Sequence, residues 1–301
     1  MSENTRCGFV AVVGAPNAGK STLVNRLVGT KVSIVSPKVQ TTRARVLGIA
    51  LVEEAGAQII FIDTPGIFQP KRRLERAMVH AAWAGAADAD LVALVVDAER
   101  GLTDEVRAIL DTLKNSGRRA VLVLNKVDLV RRDSLLGLAA ELDGAGLFDR
   151  VFMVSAEKGD GTADLLRHFA LAVPEGPWHF PEDQVSDMPM RLLAAEITRE
   201  QVFRQLHQEL PYSINVETEQ WEERDDGSVR IDQTIYVQRD SQKAIVLGKG
   251  GRQVKGIGAL ARTGLEEILE RRVHLFLHVK VRENWLEERQ HYRDMGLEFD
   301  V

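Results

Sequence analysis

An eight-residue segment near the start of the chain, Gly14–Ser21, has the residue types and spacing that hold a phosphate chain. It follows an apolar run and opens a helical pattern, which is the context that a phosphate-binding loop requires. Glycines let consecutive backbone N–H groups face the phosphates, Lys20 neutralises the β- and γ-phosphates, and the Ser21 hydroxyl ligates Mg²⁺. We therefore expect a nucleoside triphosphate to contact Gly14, Ala15, Pro16, Asn17, Ala18, Gly19, Lys20, Ser21 and Thr22.

A second motif on the phosphate side, Asp63–Gly66, begins at the last residue of the strongly apolar run IIFID. In nucleotide-binding folds an aspartate at this place lies in the Mg²⁺ shell, and the amide of the following glycine senses the γ-phosphate. The same spacing recurs at Asp143–Gly146, which comes too late in the chain and predicts a plain turn. We assign the first motif to the nucleotide, with Asp63 as a metal ligand; its residues are Asp63, Thr64, Pro65 and Gly66.

The segment Asn125-Lys126-Val127-Asp128 follows the run AVLVL and distinguishes between bases. An aspartate accepts two hydrogen bonds from the N1–H and exocyclic amine of guanine, whereas adenine offers no such pair of donors. Ser155-Ala156, at the end of the run VFMVSA, fits the remaining base-contacting loop, with the Ala156 amide as a donor to guanine O6. The pattern therefore favours GTP over ATP, bound by Asn125, Lys126, Asp128, Ser155 and Ala156.

Between these motifs lies a polar loop, Pro37–Arg43, in the position of a nucleotide-sensing switch. One threonine there should reach Mg²⁺ only when a γ-phosphate is present. We favour Thr42 over Thr41 as this metal ligand. A threonine pair before a strand is also a common structural feature, so both interpretations stay open.

The residues around the γ-phosphate predict slow hydrolysis. Ile67 follows Gly66, at a place where many Ras-like enzymes have a glutamine that orients the attacking water. Asn17 can hold a monovalent cation near the β/γ bridge through its amide oxygen, or it can simply cap the loop. The candidate catalytic residues are Lys20, Thr42, Gly66 and Asn17.

A glycine loop in the C-terminal part lies between two helical patterns and within a basic cluster. Such a loop approaches a single-stranded nucleic-acid backbone closely, while an adjacent apolar groove accepts bases. Ile245, Val246, Ile257 and Leu260 are either groove or core residues, and the basic cluster can equally be a solvated face. The candidate RNA-binding residues are Gly248, Lys249, Gly250, Gly251, Arg252 and Lys255.

Two α/β domains are predicted to position these residues. Residues 1–172 alternate buried apolar runs with helical patterns, which indicates a parallel sheet joined by crossover helices. Residues 173–189 carry four prolines and are interpreted as a linker. The pattern of residues 190–301 predicts the order helix, strand, strand, helix, loop, helix, strand. The first helix is predicted to run from Met190 to Leu210, where the following Pro211 stops it.

Composition excludes several classes of protein. The net charge of −5 argues against a protein that coats nucleic acid through bulk charge alone. One cysteine, Cys7, excludes a disulfide framework and a zinc ribbon. The chain shows neither a signal peptide at its start nor a long uncharged apolar run, so we expect a cytoplasmic protein.

Taken together, the sequence resembles the Era family of bacterial GTPases over nearly its whole length. The matching segments are GAPNAGKSTLVNRLVG, SPKVQTTR, DTPGIFQPK, NKVD, SAEKG, ELPYS, VLGKGGRQVKGIG and NWLEERQHYRDMG. The resemblance implies a Ras-like P-loop GTPase domain with a mixed, mostly parallel sheet, followed by a smaller α/β type II KH domain. It also implies GTP, GDP and Mg²⁺ as ligands. Asn17 is then an asparagine of the kind that is linked to potassium activation in related GTPases.

The same resemblance implies partners. It predicts that the KH domain binds the 3′ end of 16S ribosomal RNA and that the protein assists assembly and maturation of the small (30S) ribosomal subunit. We expect no DNA partner, and we expect the protein to be a monomer. Peripheral association with the inner membrane has been attached to the family, but no sequence feature here anchors the chain to lipid.

Two other functions are consistent with parts of the pattern. The C-terminal domain of a GTPase can bind a protein instead of RNA, with the basic loop as a solvated turn. A metabolic kinase is disfavoured, because the guanine motif follows the phosphate loop in GTPase order and no substrate lid is evident.

Overall fold

The computed structural model describes residues 5–38, 41–206, 210–283 and 285–301 of the 301-residue chain. The described residues form two compact units. The first unit contains those of Met1–Ser33, Thr42–Asp187 and Met295–Val301, and the second contains those of Ile34–Thr41 and Met188–Asp294. The domain limits expected from the sequence stay predictions.

The first unit is built on six strands: β1 (Arg6–Val13), β2 (Val46–Val52), β3 (Ala57–Asp63), β4 (Leu91–Asp97), β5 (Ala120–Asn125) and β6 (Phe148–Val154). They form one sheet in the order β2-β3-β1-β4-β5-β6. Only β2 is antiparallel to its neighbour, and the remaining pairs are parallel. The expectation of a mixed, mostly parallel sheet is confirmed.

Helices cover both faces of this sheet: α1 (Lys20–Val28), α2 (Arg73–Asp88), α3 (Asp104–Ser116), α4 (Arg132–Asp143) and α5 (Thr162–Ala172). Val10 and Val12 of β1 pack in one core with residues of α1 and α5. Ala11 and Val13 point to the other core, which contains residues of α2, α3 and α4. Because both faces are buried, the strands read as continuous apolar runs in the sequence.

The register of the parallel strands brings the motif residues to one edge of the sheet. Val12 pairs with Asp63, and Asp97 pairs with Asn125, which in turn pairs with Val154. The carboxyl ends of parallel strands in such folds form the usual ligand site. The nucleotide motifs therefore meet although the chain separates them.

The second unit contains α6 (Met190–Gln205), β7 (Asn215–Glu223), β8 (Val229–Val237), α7 (Asp240–Leu247), α8 (Arg252–Leu269), β9 (Val273–Val281) and α9 (Arg289–Asp294). The strands form one sheet in the order β7-β8-β9, with β7 antiparallel and β9 parallel to β8. The predicted order of helices and strands around the glycine loop is observed.

The first helix of this unit is shorter than its sequence pattern indicated. Helix α6 ends at Gln205 and not at Leu210, because Leu206 has an extended backbone (φ −96°, ψ 151°) and its side chain is buried in the core. Residues 207–209 lie outside the described part of the chain. None of the described helices combines the length and hydrophobicity needed to cross a lipid bilayer.

Candidate functional site

The phosphate-binding loop connects β1 to α1, and its backbone requires glycine at both ends. Gly14 has φ 155°, and a Cβ there would lie 2.3 Å from the carbonyl oxygen of Val95. Gly19 has φ 90°, and a Cβ there would lie 2.2 Å from Nδ2 of Asn125. Asn17 has φ 62°, a left-handed conformation that asparagine tolerates better than most residues. The loop is thus fixed in a shape that other sequences could not adopt without strain.

Lys20 supplies a buried positive charge to this loop. Its ammonium Nζ donates hydrogen bonds to the carbonyl oxygens of Gly14 at 3.1 Å and Ala15 at 3.0 Å. Burial lowers the pKa of Lys20 to about 8, and the nearby Asp63 carboxylate opposes this shift. A bound phosphate would stabilise the charged form in the same way, so the site favours an anionic ligand.

Ser21, Thr42 and Asp63 provide an oxygen-rich site beside Lys20. The hydroxyls of Ser21 and Thr42 are 2.9 Å apart, and Asp63 is completely buried. Neither carboxylate oxygen of Asp63 has a hydrogen-bond partner among the described residues. Burial raises the pKa of the Asp63 carboxyl, and the charge of the nearby Lys20 ammonium opposes the rise. An unpartnered buried carboxylate next to two hydroxyls fits Mg²⁺, which prefers oxygen ligands.

The two threonines of the polar loop differ in where their hydroxyls point. The hydroxyl of Thr41 lies 2.6 Å from that of Ser36 and donates to the carbonyl oxygen of Lys38 at 2.7 Å. Thr42 is the residue whose hydroxyl reaches Ser21. This geometry favours Thr42 as the metal ligand. Val39 and Gln40 of the same loop lie outside the described residues.

The motif after β3 packs directly against the phosphate-binding loop. The Thr64 hydroxyl donates to the carbonyl oxygen of Val12 at 2.8 Å, and the Ile67 N–H donates to that of Gly14 at 3.0 Å. A Cβ on Gly66 would lie 2.9 Å from Cα of Pro16, so the backbones touch at this point. Ile67 is buried in the core, and its side chain has no polar atom to orient a water molecule.

Asn125 links the phosphate loop to the base-contacting loop. Its buried side chain donates to the carbonyl oxygen of Ala18 at 2.9 Å and accepts from the N–H of Ala156 at 3.0 Å. The Ala156 amide, expected to face guanine O6, therefore has Asn125 as its acceptor in this structure. Its contact with guanine stays a prediction.

Asp128, the residue expected to contact guanine, is held as a carboxylate. The Ser155 hydroxyl is the main cause of a lowered Asp128 pKa, with smaller contributions that include Lys158. The Lys158 ammonium lies 3.4 Å from Asp128. An ionised carboxylate is the form that accepts both hydrogen bonds from guanine.

The sequence pointed to Lys126 but did not reveal two other residues that support this loop, Asp97 and Arg26. Lys126 has φ 64°, and its ammonium lies 2.6 Å from a carboxylate oxygen of Asp97 at the end of β4. Arg26 of α1 donates to the carbonyl oxygen of Ala156 at 3.1 Å. Asp97 could have been suspected from its place at a strand end, whereas nothing local marks Arg26.

The C-terminal glycine loop joins α7 to α8. Gly248, Gly250 and Gly251 have φ values of 67°, 62° and 75°. A Cβ on Gly248 would lie 2.7 Å from Cβ of Gln253, whereas a Cβ on Gly250 would meet nothing within 4 Å. The loop is thus tightly packed at its start and open at Gly250. Three exposed basic residues surround it: Lys249, Arg252 and Lys255.

The apolar residues near this loop divide into core and surface. Val246 and Ile257 are completely buried, so they belong to the core and not to a groove. Ile245 and Leu260 are more than half exposed and can contact a ligand. A cavity of about 350 Å³ lies between α8 and β9, with the exposed Phe276 on its wall.

Two family models match the chain. One, described as a 50S ribosome-binding GTPase, matches residues 9–126. The other, described as a KH domain, matches residues 209–286. The first range includes the phosphate-binding loop and part of the guanine motif, and the second includes the glycine loop.

Curated relatives and solved structures match over nearly the full length. GTPase Era of Rhizobium meliloti (strain 1021) is 62% identical over 98% of this chain and 94% of its own. GTPase Era of Brucella melitensis biotype 1 is 60% identical over the same shares. A crystal structure of Era with MgGDPNP and nucleotides 1506–1542 of 16S ribosomal RNA is 39% identical, with a TM-score of 0.91, over 97% of this chain and 99% of that one. An Aquifex aeolicus Era variant bound to GDP and AlF4⁻ gives the same values.

Proposed function

The chain belongs to the Era family of GTPases, and we propose that it is a GTP-controlled switch that binds the 3′ end of 16S ribosomal RNA through its KH domain. In this role it assists assembly and maturation of the small (30S) ribosomal subunit. The observation that carries the proposal is the solved Era structure that holds MgGDPNP and nucleotides 1506–1542 of 16S ribosomal RNA together. This chain has a candidate set of residues for each of those ligands.

On the phosphate side, Lys20 contacts the β- and γ-phosphates, and Mg²⁺ is held by Ser21, Thr42 and Asp63, directly or through water. The ion, when bound, neutralises charge on the phosphate oxygens. The unpartnered oxygens of Asp63 and the short separation of the two hydroxyls support this assignment. The Gly66 N–H faces the γ-phosphate, which GDP lacks.

On the base side, Asp128 accepts from the N1–H and exocyclic amine of guanine. Asn125 stabilises the site without contacting the base, because its side chain connects the loops of Ala18 and Ala156. Lys126 has a left-handed backbone, and its side chain is held by an ion pair with Asp97. These contacts preorganise the site for guanine.

Intrinsic hydrolysis is slow because Ile67, the residue after Gly66, cannot orient the attacking water. Ile67 is aliphatic and buried. We propose that K⁺ supplies part of the missing positive charge, with the Asn17 amide oxygen as one of its ligands. The alternative role of Asn17 is to stabilise the left-handed turn at φ 62°.

On the RNA side, the open glycine Gly250 and its basic neighbours contact the phosphate backbone of a single strand, and exposed Ile245 and Leu260 contact bases. KH domains clamp about four nucleotides in this manner. We propose that GTP, by ordering the segments with Thr42 and Gly66, changes the affinity of this site for RNA. The protein acts as a cytoplasmic monomer, and peripheral binding to the inner membrane is a second location that vesicle sedimentation tests.

The experiment is to load the protein with a GTP analogue, crosslink it to RNA in a cell extract and sequence the attached RNA. We expect one short single-stranded site at the 3′ end of 16S ribosomal RNA. Attachment to large-subunit ribosomal RNA, or to scattered RNA, would contradict the proposal. In the second case a protein partner for the C-terminal domain would become the better interpretation.

Two substitutions at one position provide the matched control. Gly250→Asp and Gly250→Asn place side chains of nearly equal size in open space, and both residues tolerate a positive φ. Only aspartate adds a negative charge beside the RNA phosphates. Crosslinking should therefore be lost in Gly250→Asp and largely kept in Gly250→Asn. Reversing the charge of Lys249 and Arg252 should also reduce RNA affinity and its dependence on salt.

A further inference from the structure

The base-contacting loop, residues 155–161 between β6 and α5, is attached to the last turn of α1. In that turn, the Arg26 guanidinium donates from Nε to the carbonyl oxygen of Ala156 at 3.1 Å and from Nη2 to that of Glu157. An added Cβ on Gly159 would lie 3.7 Å from Nη1 of Arg26, so the guanidinium also lies against the following turn of the loop. Helix α1 and the loop both belong to the first compact unit.

The two hydrogen bonds from Arg26 go to successive residues of the loop. A guanidinium is planar, and its Nε and Nη2 donors lie along one edge in fixed directions, so one side chain holds two peptide groups at once. Hydrogen bonds from a charged donor are also stronger than neutral ones. The peptide that joins Ala156 to Glu157 therefore cannot rotate without breaking a charged hydrogen bond.

Ala156 is held from its other side by Asn125. The Ala156 N–H donates to Oδ1 of Asn125 at 3.0 Å, while its carbonyl oxygen accepts from Arg26. One N–H can serve two acceptors, so guanine O6 can share this N–H with Asn125. The direction in which the Ala156 N–H points is thus set by one contact on each side of the residue.

Helix α1 connects this contact to the phosphate side of the site. Lys20 is the first residue of the helix, and Arg26 lies in its last turn. The two residues are about 9 Å apart along the axis, at a rise of about 1.5 Å per residue. A nucleotide with its phosphates at Lys20 and its base at Ala156 spans the same two ends. Arg26 therefore fixes the base-contacting loop to the helix that carries the phosphate-binding lysine.

We propose that Arg26 is a positioning residue for guanine recognition, which acts by holding the carbonyl oxygens of Ala156 and Glu157 so that the Ala156 N–H faces O6 of the base. The inference rests on the proposed contact between Ala156 and guanine. It makes Arg26 responsible for slow release of GDP and for selectivity toward an oxygen at position 6 of the base. Hydrolysis at the γ-phosphate, which takes place at the other end of the nucleotide, should not depend on it.

The test measures the affinity and the dissociation rate of GDP and of 6-thio-GDP, in which sulfur, a weaker acceptor, replaces O6. The full-length protein is compared with Arg26→Ala and Arg26→Lys. Arg26→Ala should lower GDP affinity about tenfold, mostly through faster dissociation, because two charged hydrogen bonds to the loop are lost. Its affinity for 6-thio-GDP should fall by no more than about twofold, because the contact that Arg26 supports is already weak there. Arg26→Lys keeps the charge and should recover part of the GDP affinity. Single-turnover hydrolysis at saturating GTP should be unchanged in both variants.

Arg167→Ala is the matched control. Arg167 is an exposed arginine of α5 in the same unit, and it forms an ion pair with Asp164 of its own helix at 3.5 Å. Its loss should leave both affinities unchanged. Equal losses for GDP and 6-thio-GDP in Arg26→Ala, unchanged GDP affinity in that variant, or the same losses in Arg167→Ala would each overturn the role of Arg26. If the unmodified protein bound GDP and 6-thio-GDP equally tightly, the contact between Ala156 and O6, which belongs to the proposed function, would itself be refuted, and the role of Arg26 with it.

Discussion

Raising the pH from 7 to 8.5 should weaken GDP binding by about fourfold, because it removes the proton from Lys20 in the empty site. Burial lowers the pKa of this lysine to about 8, whereas a free lysine titrates at 10.5. A bound phosphate restores the charged form. The complex therefore needs a proton that the empty site lacks above pH 8, and affinity falls as pH rises.

The size of the effect follows from the fraction of empty sites in which Lys20 is already protonated. With a pKa of about 8, this fraction is about nine-tenths at pH 7 and about one-quarter at pH 8.5. The ratio of the two fractions gives the fourfold loss of affinity. Binding should take up about 0.1 proton at pH 7 and about 0.8 at pH 8.5.

Titration calorimetry of GDP in buffers with different ionisation enthalpies measures this uptake directly. Lys20→Gln, studied at higher protein concentration, is the control: it keeps any ionisation of the guanine base but removes that of the lysine. The difference between the two proteins is the contribution of Lys20. Equal proton uptake in both, or no increase between pH 7 and 8.5, would refute the reasoning.

Three further predictions test other parts of the nucleotide site. Gly19→Ala should abolish nucleotide binding, because its Cβ would lie 2.2 Å from Asn125 at a positive φ. The control Gly29→Ala also has a positive φ but lies in open space, so it should bind nucleotide normally and lose about 1 kcal/mol of stability. GDP affinity and thermal unfolding of the two variants measure these effects. Asp128→Asn should lower GTP affinity by roughly 30-fold or more and raise that for XTP, in competition assays, because an amide donates where guanine also donates. Asn17→Gly keeps the backbone conformation and removes the amide oxygen, so it should lose any stimulation of hydrolysis by K⁺ over Na⁺; equal stimulation in both proteins would assign Asn17 a purely structural role.

The candidate nucleotide site could be predicted from the sequence because its residues lie in short motifs at strand ends. Each motif combines a buried apolar run with residues of defined chemistry, and parallel strands bring those ends to one edge. The structure places Asp63, Asn125 and Val154, the residue before Ser155, at the ends of these strands. Their contacts with a nucleotide stay predictions. Chain order and spacing were sufficient for this step.

Residue exposure in the KH domain could not be predicted in the same way. Ile245 and Val246 are adjacent in the sequence, yet one is exposed and the other is completely buried. Helical periodicity shows that one face is apolar, but not how far the packing of other helices extends around it. The division into core and surface residues therefore needed the tertiary structure.

Contacts between distant segments leave no local pattern. Arg199 and Thr41 are 158 positions apart, and neither residue type predicts the other. The end of α6 is similar: the apolar pattern continues to Leu210, but the backbone of Leu206 is already extended. Tertiary packing overrides local propensity at such places.

The most direct test of the switch is to measure the affinity of the full-length protein for a short single-stranded RNA from the 3′ end of 16S ribosomal RNA, loaded in turn with a GTP analogue and with GDP. We predict different affinities in the two states, and no difference when the Lys20→Ala variant is given the same two nucleotides. Equal RNA affinity in both states of the unmodified protein would contradict the claim that GTP controls RNA binding.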